Sequence, residues 1–440
     1  MRVDIINLGC SKNLVDSEKL MSQLLAQGIR TRLDPVRVNA DVLIINTCGF
    51  ILDAKEESIQ TILDAIESKK NGRIRYIYAM GCLIQRYRNE LVPEMTEVDA
   101  WFGVEQMNDI LTSLKLVFNP EILNQRQVST PNHYAYLKIS EGCSRSCSFC
   151  AIPSIRGKHV SRKMEDIIQE ARYLSEHGTR ELLLIAQDLS YYGRDLYRKS
   201  MLVPLLGELV KLKKIKWIRL HYAYPESFPD GLIELMASDP KICNYLDIPF
   251  QHISDPMLKR MSRGYSRKDT YKIIRDIRSK IPDAAIRTSL IVGHPGETEQ
   301  EFLELLDFVR DSRFERLGVF TYSTEEGTRS GDLFADEIAE EVKQERFAAI
   351  MDLQKEISAE INAARIGKIE TVVIDRKEGD FFIGRSQYDS PEVDQEVLIT
   401  SSDRILRTGS FYQIEIISAD DYDLYGKPQN RKLSTVNRKS

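Results

Sequence analysis

The sequence predicts an α/β protein of three parts: an N-terminal parallel α/β domain, a six-unit α/β barrel, and a small C-terminal all-β barrel. Three observations support this prediction. Strand-like and helix-like stretches alternate over residues 1–119, six further strand-like runs follow up to residue 330, and short β-type runs occupy residues 366–427. Strands alternating with helices are typical of parallel sheets, whereas short, closely spaced strands are typical of small barrels.

The first 119 residues predict the parallel α/β domain. Apolar runs rich in β-branched residues mark three strands, VDIINL, VLIINT and IRYIYAM. Amphipathic stretches at residues 17–27 and 54–69 mark two helices. Because strands separated by helices pair in parallel and carry the helices on their faces, we assign residues 1–119 to one domain.

The middle of the chain predicts the α/β barrel. Six runs read as strands: YAYLKIS, ELLLIAQ, KWIRLHY, YLDIPF, AIRTSLIVG and LGVFTYS. Amphipathic stretches lie between them, for example at residues 163–177 and 299–312. Six such units are compatible with a full or a partial barrel, and in either case function is expected at the carboxyl ends of the strands.

The last part of the chain predicts a connecting helix and a β-barrel. Residues 333–365 are highly charged, have a helical period and lack proline. The runs ETVVI, FFIG, EVLIT and FYQIEII then read as short strands of a small barrel. The terminal stretch KPQNRKLSTVNRKS is basic and polar, which predicts a disordered tail.

Composition narrows the classes of function. The 440 residues are 42% hydrophobic and 29% charged, with a formal net charge of −5, so no overall positive field attracts the chain to nucleic acid. The sequence contains no apolar run long enough to span a bilayer and no signal-peptide core, which predicts a cytoplasmic protein. Its seven cysteines are an odd number, which argues against a disulfide framework and favours metal binding or reactivity.

The strongest motif is ISEGCSRSCSFCAIPSIRG, in which Cys143, Cys147 and Cys150 follow a predicted strand. A short loop brings such thiols around one small object. Three thiolates bind three irons of a 4Fe–4S cube and leave the fourth iron open for a small molecule. The alternatives are three core cysteines or a structural zinc site, for which His159 is the available fourth ligand.

A second set of cysteines is spread along the N-terminal domain. Cys10, Cys48 and Cys82 each end a predicted strand and each has a glycine neighbour, which permits tight turns. Because ligands collect outside the carboxyl ends of parallel strands, these three thiols are predicted to form a second three-cysteine site. The alternative is three buried core cysteines. Cys243 has no partner at a metal-binding spacing, and we assign it to the core.

The CxxxCxxC motif, with an aromatic residue before its last cysteine (Phe149), resembles the radical S-adenosylmethionine (SAM) superfamily. The resemblance implies that the open iron chelates the amino and carboxylate groups of SAM, and that the reduced cluster cleaves SAM to a deoxyadenosyl radical. It also implies two cofactor contacts, Phe149 near the adenine and Gln187 near the amino group. For Gln187 the alternative is an ordinary polar residue at a strand end.

Two three-cysteine sites followed by a C-terminal β-barrel resemble the methylthiotransferases over nearly the whole chain. The resemblance implies a cluster-binding domain at residues 1–119, a radical SAM core shaped as a partial (β/α)6 barrel with its connecting helix at residues 129–365, and a TRAM barrel at residues 366–432. The cofactors implied are two 4Fe–4S clusters and SAM. No catalytic side chain beyond the cluster ligands is predicted.

Four segments resemble the branch of this family that modifies an aspartate of the twelfth small-subunit ribosomal protein: NLGCSKNLVDSE, ADVLIINTCGFILDAKEESI, RLHYAYPESFPDGLI and TYSTEEGT. The implied partners are that protein or the ribosome, and an electron donor. Direct RNA contact through the TRAM barrel is possible but not required. The stretches SPEVDQE and ADDYDLYG are acidic, which suits a basic protein surface better than phosphate. The alternative is that these acids form a solvated face.

Two other functions remain as alternatives at this point. The first is a transfer-RNA adenosine methylthiotransferase, which performs the same chemistry on another substrate. That branch tends to begin with Gly-Cys-Gln-Met-Asn, which differs from the NLGCSKN of this chain. The second is a non-catalytic RNA- or ribosome-binding protein whose cysteines hold structural zinc.

Overall fold

The computed structural model describes residues 1–400 and 405–429, and each predicted part forms its own sheet. The N-terminal elements are β1 (Arg2–Asn7), α1 (Ser11–Ala26), β2 (Arg30–Leu33), β3 (Ala40–Thr47), α2 (Leu52–Lys70), β4 (Ile74–Gly81), α3 (Cys82–Glu94), β5 (Ala100–Phe102) and α4 (Met107–Ser113). Their strands pair in parallel in the order β2-β1-β3-β4-β5. The predicted parallel α/β domain is therefore confirmed.

The N-terminal domain differs from the prediction at its helix starts and its sheet edges. Helix α1 begins at Ser11 rather than at residue 17, directly after Cys10, which is its N-cap residue. The edge strands β2 and β5 were not predicted because they are short, and β2 is largely polar. Helix α3 was also missed, and it places Cys82 at its first position.

The middle part contains the six predicted strands. Its elements are β6 (Tyr134–Lys138), β7 (Ser140–Glu141), α5 (Ile152–Arg156), β8 (Val160–Ser161), α6 (Met164–Glu176), β9 (Glu181–Ile185), α7 (Leu202–Leu209), β10 (Trp217–Leu220), α8 (Leu232–Ser238), β11 (Ile242–Asp247), α9 (Asp255–Arg260), α10 (Arg267–Lys280), β12 (Ala285–Val292), α11 (Glu299–Ser312), β13 (Arg316–Thr321), α12 (Arg329–Leu333) and α13 (Glu340–Ala363). The sheet order β13-β12-β11-β10-β9-β6 is open between β13 and β6, so the barrel is partial.

The two faces of the core sheet bury different kinds of side chain. On β10, Ile218 and Leu220 join the main hydrophobic core under the helices. The alternate residue Arg219 is fully buried on the opposite, concave face, as the two-residue period of a strand requires. Cys243 is fully buried beside Trp217 and Tyr245, which confirms it as a core residue.

The connecting helix is shorter than predicted. Helix α13 begins at Glu340, whereas residues 333–365 were predicted to be helical. The side chain of Lys343 donates from its first turn to Asp336, 2.7 Å away in the preceding loop. The two acidic residues of the first turn, Glu340 and Glu341, favour a helix start at this point because they face its positive end.

The C-terminal part is a closed five-stranded barrel. Its strands are β14 (Ile369–Glu378), β15 (Phe381–Ser386), β16 (Val397–Thr400), β17 (Phe411–Ala419) and β18 (Leu424–Pro428), closed in the order β14-β15-β16-β18-β17. The sequence prediction lacked β18. Of the tail predicted to be disordered, residues 430–440 lie outside the described part of the chain. No helix in the described ranges is long and apolar enough to cross a membrane.

The barrel contacts the concave face of the core through residues 386–394, which we call the docking segment. Asp389 pairs with Arg316 of β13, and Asp394 pairs with Arg287 of β12 and accepts from the Tyr245 hydroxyl at 2.8 Å. Asp389 is fully buried. The expectation that the acids of SPEVDQE face a basic partner is therefore wrong for Asp394, whose carboxylate is turned toward the core.

Candidate functional site: two cysteine triads at the interface of two domains

The structure brings Cys10, Cys48 and Cys82 together as one group, which we call the first triad. Strands β1, β3 and β4 are parallel neighbours, and the three cysteines follow their carboxyl ends. Burial and the nearby Cys10 and Cys48 thiols raise the pKa of the Cys82 thiol to about 11, against the lowering effect of the Arg156 guanidinium. Since charges affect one another this way only at short range, the three sulfurs face a common space.

Glycines make this convergence possible. Gly9 has a φ of +86°, and a Cβ placed on it would lie 2.9 Å from the Cys48 sulfur. Gly49 passes so close to α3 that a Cβ there would lie 2.7 Å from the Cα of Leu83. Any larger residue at either position would push the strand ends apart. The glycine neighbours noted in the sequence therefore have a steric role at the first triad.

Cys143, Cys147 and Cys150 form the second triad in the loop after β7. The backbone amide of Arg145 donates to the Cys143 sulfur at 3.4 Å, and the Arg263 guanidinium donates to the Cys147 sulfur at 3.1 Å. Burial raises the pKa of Cys150 to about 12, and the charges of Cys147 and Cys143 add to the rise. A buried thiol of this kind loses its proton when a metal ion binds the sulfur in place of that proton.

The two triads lie side by side across the interface between the N-terminal domain and the core. Cys82 packs against Ala151, the residue after Cys150, and against Ile155 of helix α5. At the end of the same helix, α5, the Arg156 guanidinium donates to the Cys82 sulfur at 3.3 Å. The loop that carries the second triad thus contacts the first triad directly.

A buried polar network surrounds this junction. Arg156 pairs with Asp16 of α1 at 2.9 Å and with Glu141 of β7 at 3.0 Å, and Lys138 of β6 binds the same two carboxylates. These cations hold the pKa of Glu141 down at about 2, against the effect of burial. The sequence prediction missed the network because its members come from two domains and carry no motif of their own.

Gln187 lies at the carboxyl end of β9, within this network. Its side-chain amide donates to Glu141 at 2.6 Å. Its Oε1 is buried and has no hydrogen-bond partner in residues 1–400 and 405–429. A buried carbonyl oxygen without a donor is unfavourable, so this atom is suited to accept from a bound amine. The predicted contact with the amino group of SAM fits this arrangement and stays a prediction.

Phe149 and His294 pack against each other beside the second triad. Their rings meet edge to face with centroids 6.4 Å apart, and His294 also contacts Tyr322 at 4.9 Å. His294 is fully buried, and burial lowers its pKa to about 4, so it packs as a neutral ring. His294 therefore packs among aromatic rings as an aromatic residue would. The predicted contact of Phe149 with the adenine stays a prediction.

His159, the fourth ligand in the zinc alternative, makes other contacts. Its Nε2 lies 3.1 Å from the Ser161 hydroxyl, and its ring packs against Tyr191. Within the two described ranges, no three His, Cys, Asp or Glu side chains are arranged to hold a single metal ion. Single-ion sites bring all ligands within about 2.3 Å of one point, whereas each thiolate of a 4Fe–4S cube binds a different iron.

A second set of ion pairs fastens the N-terminal domain to the core. Glu325, in the YSTEEGT segment after β13, pairs with Lys55 of α2 at 3.1 Å and with Arg86 of α3 at 2.7 Å. All three side chains are at most 16% exposed, so solvent screens these pairs only weakly. Together with the contacts of Arg156, the ion pairs of Glu325 fix the two triads relative to each other.

We expect Glu325→Ala to lower the free energy of unfolding by about 1–2 kcal/mol, because two cations lose a charged acceptor. Denaturant unfolding followed by circular dichroism measures the change. The matched control is Glu326→Ala, since the neighbouring Glu326 side chain is exposed. Equal stabilities of the two variants would contradict a fastening role for Glu325.

Comparison with known proteins agrees with this arrangement of parts. Residues 137–309 match the Radical SAM superfamily, residues 2–103 match the uncharacterized protein family UPF0004, and residues 366–428 match a TRAM domain. The fold and these matches define a radical SAM protein, a class that uses a 4Fe–4S cluster and SAM.

The curated relatives identify the family. The chain is 53% identical to the ribosomal protein uS12 methylthiotransferase RimO of Porphyromonas gingivalis over 97% of this chain and 98% of that protein. RimO of Bacteroides thetaiotaomicron is 51% identical over 98% and 99% of the two chains, and RimO of Christiangramia forsetii is 49% identical over 100% and 96%. The chain belongs to the RimO family of radical SAM methylthiotransferases, and it is an enzyme.

Solved structures support the fold alone, because their sequences are distant. The radical SAM methyltransferase TsrM of Kitasatospora setae is 14% identical, with a TM-score of 0.56 over 75% of each chain. The cobalamin-dependent SAM radical enzyme OxsB is 13% identical, with a TM-score of 0.51 over 80% of this chain and 56% of that one.

Proposed function

We propose that this enzyme transfers a methylthio group to the β-carbon of an aspartate in ribosomal protein uS12, and that it uses two 4Fe–4S clusters and SAM to do so. The observation that carries the proposal is the direct contact between the two triads through Cys82, Ala151 and Arg156. Close identity to proteins named uS12 methylthiotransferases over nearly their full length supports the choice of substrate.

The side chains present fit these cofactors. Each triad offers three clustered thiols, the number that binds a 4Fe–4S cube while one iron stays open. In this proposal Cys143, Cys147 and Cys150 hold the cluster that binds SAM, and Cys10, Cys48 and Cys82 hold the cluster that carries the sulfur donor. When bound, the clusters and SAM supply a carbon radical and a transferable methylthio group, chemistry that side chains do not provide.

The protein's own residues orient these groups. Gln187 accepts from the amino group of SAM through its free Oε1, while Glu141 holds its amide in place. Arg156 holds Cys82 against the loop of the second triad, and Arg263 donates to Cys147. Phe149, which packs on His294, borders the adenine. These side chains keep the reacting groups of the two sites close together.

The substrate explains why radical chemistry is used. The β-carbon of an aspartate lies beside an ionised carboxylate and has no group that makes its hydrogen acidic, so a side-chain base would not remove that hydrogen at neutral pH. Removal as a hydrogen atom avoids this barrier. An external electron donor would supply the electron that this chemistry needs.

A strain that lacks this gene tests the proposal. Mass spectrometry of its ribosomal proteins should show uS12 without the methylthio group, and the wild-type gene should restore it. A gene encoding Cys147→Ala is the matched control and should not restore it. If uS12 keeps its methylthio group while a transfer-RNA base loses one, the enzyme acts on transfer RNA and the proposed substrate is wrong.

A further inference from the structure

Lys12 is a buried lysine without an anionic partner. Its side chain is 8% exposed, and its Nζ lies 3.4 Å from the centroid of the Tyr222 ring. Within residues 1–400 and 405–429 this ammonium forms no salt bridge, although its charge acts on the carboxyl of Asp247 and lowers the pKa of that group against the effect of burial. Burial of an ammonium without an anion is unfavourable, and contact with an aromatic face offsets only part of the loss.

The other buried lysines of the described chain behave differently. Lys138 pairs with Asp16 and with Glu141, the latter at 2.6 Å, and Lys343 pairs with Asp336 at 2.7 Å. Buried lysines are expected to be paired in this way. Lys12 therefore lacks the anionic partner that Lys138 and Lys343 both have.

Lys12 lies at the interface of the N-terminal domain and the core, the interface that also carries the two triads. It lies in the first turn of α1, two residues after Cys10, and the next residue, Asn13, lies 3.7 Å from the Cys82 sulfur. On the core side, Tyr222 follows β10, and the hydroxyl of nearby Tyr224 lies 3.6 Å from the Cys147 sulfur. Residues next to Lys12 and next to Tyr222 therefore contact one sulfur of each triad.

Nearby groups leave room for an added anion. Asp247, the core carboxyl on which the Lys12 charge acts, already accepts from the Tyr222 amide at 3.3 Å and lies 3.9 Å from Arg287. The first turn of α1 contains no acidic residue, and its N-cap residue, Cys10, makes no side-chain cap. Unsatisfied amides at the start of a helix also favour a negative charge.

We propose that Lys12 binds the side-chain carboxylate of the target aspartate. This inference rests on the proposed function and names the residue that recognises its substrate. The carboxylate of SAM has the same chemistry, but Gln187 and the second triad bind SAM on the core side in the proposed function. A carboxylate held on Lys12 fixes the adjoining β-carbon between the two triads, where its hydrogen is removed and the methylthio group arrives.

The test compares two synthetic peptides that span the target site of uS12, one with the target aspartate and one with asparagine in its place. Fluorescence anisotropy measures their binding to the reconstituted enzyme in the presence of SAM. The wild type should bind the aspartate peptide at least about ten-fold more tightly, as expected for a charge-assisted hydrogen bond. Lys12→Met, which removes the charge, should bind both peptides about equally.

Two further variants separate charge from structure. Lys12→Arg keeps the positive charge and should retain most of the preference for aspartate. Lys19→Met is the matched control, since Lys19 lies two turns further along α1 and faces Arg162 and Glu170 of the core. It should discriminate like the wild type. Iron content and melting temperature verify that each variant folds and binds its clusters.

The outcomes distinguish the inference from the proposed function. If Lys12→Met still prefers the aspartate peptide ten-fold, Lys12 does not bind its carboxylate. If Lys12→Met instead loses affinity for SAM while the peptide preference stays, the carboxylate is that of the cofactor, and the inference is again overturned. A wild-type enzyme that leaves intact uS12 unmodified would overturn the proposed function, and this inference with it.

Discussion

Replacing Cys147 by alanine should abolish both methylthio transfer and the cleavage of SAM, each by at least roughly a thousand-fold, because no side chain replaces the radical that the cofactor supplies. Iron should fall from about eight to about four atoms per chain as one cluster is lost. Chromatography of 5′-deoxyadenosine and a colorimetric iron assay measure these changes. We expect this loss because Cys147 belongs to the second triad, where its sulfur accepts a hydrogen bond from Arg263 at 3.1 Å.

Two other cysteines make this experiment specific. Cys243→Ala is the matched control, because Cys243 is fully buried in β11 among core residues, and it should keep both iron and activity. Cys82→Ala should lose the other cluster and all methylthio transfer but still cleave SAM. Persistent SAM cleavage by Cys147→Ala would show that the second triad does not bind the cofactor's cluster.

Removing the carboxylate of Glu181 should destabilise the protein by about 3–5 kcal/mol, the usual cost of leaving buried charges without a partner. Glu181 is fully buried and binds two guanidinium groups, Arg219 of β10 at 2.9 Å and Arg385 of the C-terminal barrel at 2.5 Å. In Glu181→Ala, Arg219 keeps only backbone carbonyl acceptors in the docking segment, and Arg385 keeps only Asp375.

Tryptophan fluorescence during denaturant unfolding measures this loss. Trp217 lies at the same interface, its ring 4.8 Å from that of Phe411 in the barrel, and so reports on undocking. The control is Glu208→Ala, which breaks an exposed pair with Lys211 and should change stability by less than about 0.5 kcal/mol. A similar small change for Glu181→Ala would mean that the buried pairs do not hold the barrel in place.

The grouping of the cysteines into two triads could be predicted from the sequence because their spacing and their positions at strand ends are local features. Cys143, Cys147 and Cys150 lie in one loop, and the parallel sheet brings Cys10, Cys48 and Cys82 to one edge. The six core strands were predicted for the same reason, since each is a short run rich in apolar and β-branched residues.

The residues around the triads were not predictable in this way. The contacts of Arg156 and Lys12 form only when the N-terminal domain packs on the core, because each side chain contacts a residue of the other domain. Asp394 was read as a surface acid, since the sequence does not reveal that Arg287 and Tyr245 lie behind it. Contacts between domains depend on the docked arrangement, which no periodicity in a single segment encodes.

The docking segment also has a consequence for the order in which the protein is made. Arg219, Arg287 and Arg316 belong to the core, but they meet acceptors in residues 386–394. During synthesis, the core strands leave the ribosome well before those acceptors, and domains generally fold in the order of their emergence. The concave face therefore stays solvated until about nine tenths of the chain, up to the docking segment, has been made, and a chain that is interrupted earlier leaves this face uncovered.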